Sequence, residues 1–141
     1  MEKLMKTMLA ALLVALSLSQ PAFAAELSKP AQASQVAPAD HYFGKMKISI
    51  LGMRNMISDL GLMVISRPEA VSDVIHKAEI AEDAMHEWAS QFPQDPWLAK
   101  YAHNLVMLYE KCSGEEGNHH QRAAQDWLNE HFPESQFAEP F

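Results

Sequence analysis

Apolar side chains recur at Phe43, Met46, Ile50, Met53, Ile57, Leu60 and Val64, in alternating steps of three and four. That spacing lays one continuous stripe along an α-helix. Val71, Val74, Ala78, Ala81, Met85, Trp88 and Phe92 repeat it, followed by Leu98, Tyr101, Leu105, Leu108 and Cys112, and then by Ala124, Trp127 and His131. No alternating run bounded by turn residues interrupts the series, so no sheet is expected. The punctuation between stripes is that of helix ends. Asp40 offers an N-cap to the first helix, and Ser66 with Glu69 offers a capping box to the second, with Pro68 in its first turn. Pro93 ends the second helix, and Asp95-Pro96 starts the third. Gly114 and Gly117 stop the third, and Asn118 caps the fourth. The expected fold is all-α, with about four antiparallel helices arranged as stacked hairpins or as a four-helix bundle.

The residues ahead of the stripes read differently. Lys3 and Lys6 precede an apolar core from Met8 to Leu18, and Pro21 precedes Ala22-Phe23-Ala24, a small-x-small cleavage pattern. Residues 1–24 are therefore expected to be an export signal, too short in its apolar part for the roughly 20 residues of a membrane span. Residues 25–39 hold Ala, Ser, Gln and Pro with few large apolar side chains and are expected to be a disordered linker. A single helical domain over 40–138 and a short tail at 139–141 complete the organisation. The expected location is periplasmic or secreted, with no membrane span in the mature chain. Cys112 is the only cysteine, so no intramolecular disulfide can form.

Charge narrows the partners. The chain carries 11 basic and 18 acidic residues, a formal net charge of −7. An acidic surface repels phosphate backbones, which argues against nucleic acid. The imbalance is uneven: residues 40–67 hold four basic and two acidic residues, whereas 68–141 hold four basic and fourteen acidic.

The first helix has a second apolar set beyond its stripe: Ile48, Leu51, Met56, Leu62, Met63 and Ile65. A helix apolar on so many sides is covered by several neighbours or by another chain. Gly44, Gly52 and Gly61 each weaken it by up to about 1 kcal/mol relative to Ala, so outside contacts must hold it. This helix is either the central core element or an association surface. Partner binding is then expected through the first helix, at Met46, Met53, Met56 and Met63, and in a groove beside the second and third helices, at Trp97 and Tyr101. The partner would be another envelope or secreted protein, or a second copy of the chain.

The second and fourth helices end alike, in Ala84-Met85-His86-Glu87-Trp88-Ala89-Ser90-Gln91-Phe92-Pro93 and Ala124-Gln125-Asp126-Trp127-Leu128-Asn129-Glu130-His131-Phe132-Pro133. The Phe-Pro pairs stand 40 residues apart and the tryptophans 39. Self-similarity of this kind marks stacked helical hairpins. The stretch from Ala81 to Ala138 resembles the tetratricopeptide-like repeats of envelope proteins, with Ala81, Met85, Trp88 and Pro93 matching the spacing of a repeat's second helix. The resemblance implies hairpin packing by Trp88, Phe92, Trp97, Tyr101 and Trp127, and a protein-binding scaffold without catalytic residues of its own.

Two groups of side chains offer chemistry. His76, Glu79, Asp83 and His86 follow a 3-4-3 spacing on the polar face of the second helix, and i, i+3 and i+4 neighbours of this kind can bind a divalent metal. Such a site needs a further histidine from another helix, such as His41 or His119. The thioethers of Met46, Met53, Met56 and Met63 are soft ligands suited to copper(I), but they overlap the core stripe, where adaptable packing accounts for them. No nucleophile elbow, H-E-x-x-H or Gly-rich phosphate loop is present, so no enzyme activity and no cofactor is expected.

Overall fold

The computed structural model describes residues 36–139. The export signal, the first part of the linker and the end of the tail lie outside the described residues. A two-stranded antiparallel ribbon comes first, β1 (Tyr42–Phe43) paired with β2 (Ile48–Ser49) in the register Tyr42 to Ser49 and Phe43 to Ile48. Four helices follow: α1 (Ile50–Ser66), α2 (Val71–Gln91), α3 (Leu98–Lys111) and α4 (Glu115–His131), with a single 3₁₀ turn at Pro68–Ala70 between the first two. Helix α1 packs on α2, α3 packs on both, and α4 packs chiefly on α3. The fold is all-α, and no helix of the described residues is long and apolar enough to cross a membrane.

The first helix starts at Ile50 and not after Asp40. Gly44 and Lys47 have φ of 71° and 52°, left-handed values that break any helix through them. The Gly44–Lys47 turn closes through Lys47 N–H to Gly44 O at 3.1 Å. It is held down by α2: Glu87 accepts from Gly44 N–H at 2.6 Å and Asp83 from Lys45 N–H at 3.1 Å. A side chain at Gly44 would also sit 2.9 Å from the Ala84 backbone. Phe43 thus keeps its buried apolar role from a strand, stacked against Trp88 and edge-on to Phe92. Ser49 supplies the true N-cap of α1, accepting from Gly52 N–H at 3.1 Å.

Three helix ends share one geometry, set by proline. Arg67, Phe92 and Phe132 each precede a proline, which disfavours the helical region for the residue before it. Their φ/ψ values are −138°/77°, −132°/61° and −135°/55°. Each still closes the last helical turn with its own N–H, onto Met63, Trp88 and Leu128 at 2.8, 2.8 and 2.9 Å. Each carbonyl then accepts from the residue three further on: Ala70, Asp95 and Ser135, at 2.9, 3.0 and 2.9 Å. The turns after α2 and α4 therefore share their hydrogen bonds at an offset of 40, so Trp88 corresponds to the buried Leu128 and not to Trp127. The expected Ser66/Glu69 capping box does not form. Proline at 68 leaves Ser66 inside α1, where its hydroxyl donates to Leu62 O at 2.9 Å.

Asp95 is 2% exposed and accepts three hydrogen bonds. Its Oδ2 takes Ala37 N–H at 2.8 Å and Trp88 Nε1–H at 3.0 Å, and its Oδ1 takes Trp97 N–H at 3.0 Å. The last stretch of the expected linker is consequently packed, with Ala37 buried. Helix α3 starts at Leu98, two positions later than an N-cap at Asp95 would give. Helix α4 starts directly after Gly114, so Gly117 and Asn118 lie in its first turn and Asn118 is not its cap. Gly117 is buried there against the Cys112 carbonyl oxygen, which leaves no room for a Cβ. The stripes otherwise form the core: Met53, Ile57, Leu60 and Val64 from α1, Val74 to Trp88 from α2, Leu98 to Leu108 from α3, and Ala124 and Leu128 from α4. A further polar contact joins α3 to α2 at its edge, Tyr109 O–H donating to Glu82 at 2.8 Å. Burial first, and then Glu82, pushes the Tyr109 hydroxyl far above the usual phenol range.

Asp95→Ala strands three N–H donors, two of them in the interior, and should lower unfolding stability by about 2–5 kcal/mol in urea titration. Gly117→Ala forces the Cys112 carbonyl aside and should cost about 1–3 kcal/mol by the same measurement. Neutral behaviour of either variant would contradict these contacts.

Candidate functional site

Helices α1 and α3 pack together, and two cavities lie side by side along their outer edges. One, of about 590 Å³, is lined by Arg54, Asn55, Ser58, Leu62, Ile65, Asn104, Met107 and Lys111, among others. The other, of about 350 Å³, is lined by Val36, Leu51, Arg54, Asp95, Trp97, Lys100, Tyr101 and Asn104, among others. Arg54 and Asn104 belong to both, so the two form one groove that runs the length of α1. Among the described residues, eight large apolar side chains are exposed, and six of them line this groove: Val36, Leu51, Leu62, Ile65, Trp97 and Met107. Clustering of this kind marks contact surfaces, whereas scattered exposed apolar residues carry no message.

The groove is also basic. Lys100, Arg54 and Lys111 follow one another along it, and among the described residues no carboxylate lies within 4.0 Å of any of them. Lys100 instead stands 5.7 Å from the centre of the Trp97 ring, a cation–π contact. Lys111 reaches across to α1, its Nζ 3.5 Å from where a Cβ on Gly61 would be. The one carboxylate in the lining, Asp95, is buried and committed to its three N–H donors. Tyr101 forms part of the floor, 7% exposed and edge-on to Trp88. Burial raises its hydroxyl above the usual phenol range, against the opposing pull of Arg54.

The residues expected to bind a partner are divided by the fold. Trp97 is 53% exposed in the groove, and Tyr101 lies beneath it. Met53 is wholly buried, and Met56 and Met63 are half-buried against the core, so all three pack the interior side of α1. Met46 is exposed, but on the ribbon turn and not in the groove. The α1 half of the surface was visible in sequence as the second apolar set, Leu51, Leu62 and Ile65. Its α3 half, Lys100, Asn104, Met107 and Lys111, had no comparable signal, because these residues lie off the apolar stripe of that helix and three of the four are polar.

The His/Glu/Asp/His row on α2 does not converge. Glu79 meets His76 at 3.4 Å and His120 of α4 at 3.6 Å. Asp83 is taken by Lys45 N–H, and His86 lies on the Trp127 ring, 4.9 Å between centres. His41 packs on Phe43 and Phe92 and does not join them. Among the described residues, no three histidine, cysteine or acidic side chains stand close enough to share a metal ion. The 3-4-3 spacing sets one helix face, but the neighbouring elements then claim its members singly.

Trp127 holds a different cluster together. His131 stacks on it at 4.2 Å and His86 of α2 tilts over it at 4.9 Å. His86 is exposed at its rim, yet desolvation against the indole lowers its pKa, with Glu82 and Asp83 pulling upward and His131 adding to the fall. The fold thus favours neutral His86. Its contribution to stability is complete above the unfolded value of about 6.5 and is lost as pH falls through the lower folded value. Imidazolium quenches indole emission, so the part of the fluorescence titration removed by His86→Gln should have its midpoint below about 6.5. A midpoint at or above that value would contradict the desolvated contact. No protein-family model, curated protein or solved structure matches this chain.

Proposed function

We propose that the protein is a non-enzymatic binding module of the bacterial envelope or a secreted one, exported by residues 1–24, which takes an apolar segment of another protein in the α1/α3 groove. The observation that carries this reading is the gathering of six exposed large apolar side chains along one groove. Exposing them costs solubility unless a partner covers them. The groove runs between the first helices of two consecutive hairpins, and the two closing turns repeat at an offset of 40 residues. Both features support the tetratricopeptide-like reading, in which each hairpin presents a face for a bound chain.

A photo-crosslinking side chain at Leu62 should give discrete adducts with a second protein in the native envelope. Adding Leu51→Glu and Met107→Glu should abolish them while leaving the thermal midpoint within about 2 °C, since both residues are exposed. Equal adducts from an exposed position outside the groove, with the crosslinker at Glu130, would overturn the reading.

A further inference from the structure

We infer that the groove selects an extended, acidic segment of its partner, whose carboxylates pair with Lys100, Arg54 and Lys111 while its apolar side chains cover Trp97, Leu62 and Met107. This rests on the reading of the groove as a binding surface and adds the chemistry of what it binds. Three cations in a row, with no carboxylate within 4.0 Å among the described residues, stand on a chain of net charge −7. Their charge runs against that of the molecule as a whole, and the groove therefore attracts what the rest of the surface repels. The same overall charge disfavours a long polyanion.

Spacing and hydrogen bonding favour an extended ligand over a helical one. Lys100 and Lys111 are 11 residues apart on one helix, roughly 16 Å at 1.5 Å per residue. An extended strand rising about 3.3 Å per residue covers that distance in roughly five residues. Carboxylates at the ends of such a stretch face the two lysines, and one near its middle faces Arg54, which lies where the two cavities join. Between the cations, Asn55, Ser58 and Asn104 line the groove, and among the described residues none has an internal partner for its side chain. An extended backbone carries free N–H and C=O groups that these amides and the hydroxyl can satisfy. A helical ligand has already spent its own.

The test measures fluorescence anisotropy of two labelled, end-capped nonapeptides with the purified protein. One alternates Leu with Glu, and the other replaces every Glu by Gln. The acidic peptide should bind at least about tenfold more tightly at 50 mM salt, and the margin should shrink severalfold at 300 mM as screening grows. Arg54→Gln and Lys111→Gln, both at exposed positions, should each weaken the acidic peptide about threefold or more and leave the Gln peptide unchanged. Equal binding of the two peptides, sensitive to Leu62→Glu, would overturn the charge selection and retain the groove. Binding of neither at millimolar concentration would overturn both. Concentration-dependent self-association that competes with the peptide would make a second copy of this chain the occupant and overturn the proposal.

Discussion

A single buried carboxylate, Asp95, joins three parts of the molecule that the chain keeps far apart. It fastens the segment entering at Ala37, the indole of Trp88 at the end of α2, and the backbone that begins α3. Burying a charge is tolerable only when hydrogen bonds replace the lost water, and here three N–H groups do so. The same contacts fix how α3 leaves α2, and hence how α3 lies beside α1. The groove is the outer consequence of that placement, and Asp95 forms part of its wall.

The second copy of the turn shows what the first adds. Ser135 stands where Asp95 does, and among the described residues its hydroxyl accepts only Phe137 N–H, at 3.2 Å. A hydroxyl has neither the charge nor the second oxygen to gather three donors. Asn129 supplies part of what is missing, accepting from Gln125 and from the backbone of Glu139. The backbone geometry is thus set by the proline in both turns, while the strength of the anchor depends on the side chain three residues after the aromatic. The first turn braces helices on either side of it, and the second closes the end of the helical stack.

The surplus of apolar residues on α1 is resolved by a division of labour between its faces. Met53, Ile57, Leu60 and Val64 meet α2 and α3, whereas Leu51, Leu62 and Ile65 meet no neighbouring element closely enough to be buried. Two hairpins side by side leave such a face open, because only a further element could cover it. Lys100 and Lys111 of α3 stand beside that face together with Arg54 of α1 itself, so the charge of the groove is assembled from both helices. Neither helix alone has the properties of the groove.

Helix number, the core stripes and two of the proline-marked helix ends were legible in the sequence, because periodicity and the steric effect of proline act within a few residues. The four-helix class follows from them. Phe43 and Met46 sit at helical spacing but lie outside the helix, because the left-handed backbone at Gly44 and Lys47 is held by distant carboxylates, Glu87 and Asp83, that no local pattern reveals. The expected metal row is divided among neighbours for the same reason: spacing puts side chains on one face, but Lys45, His120 and Trp127 reach its members from elsewhere. Local rules determined which segments are helices and which residues face inward. The ribbon, the anchoring of Ala37 at Asp95 and the joining of α1 apolar residues with α3 cations into one groove were decided by tertiary contacts, since each pairs residues whose separation in the chain no local pattern can encode.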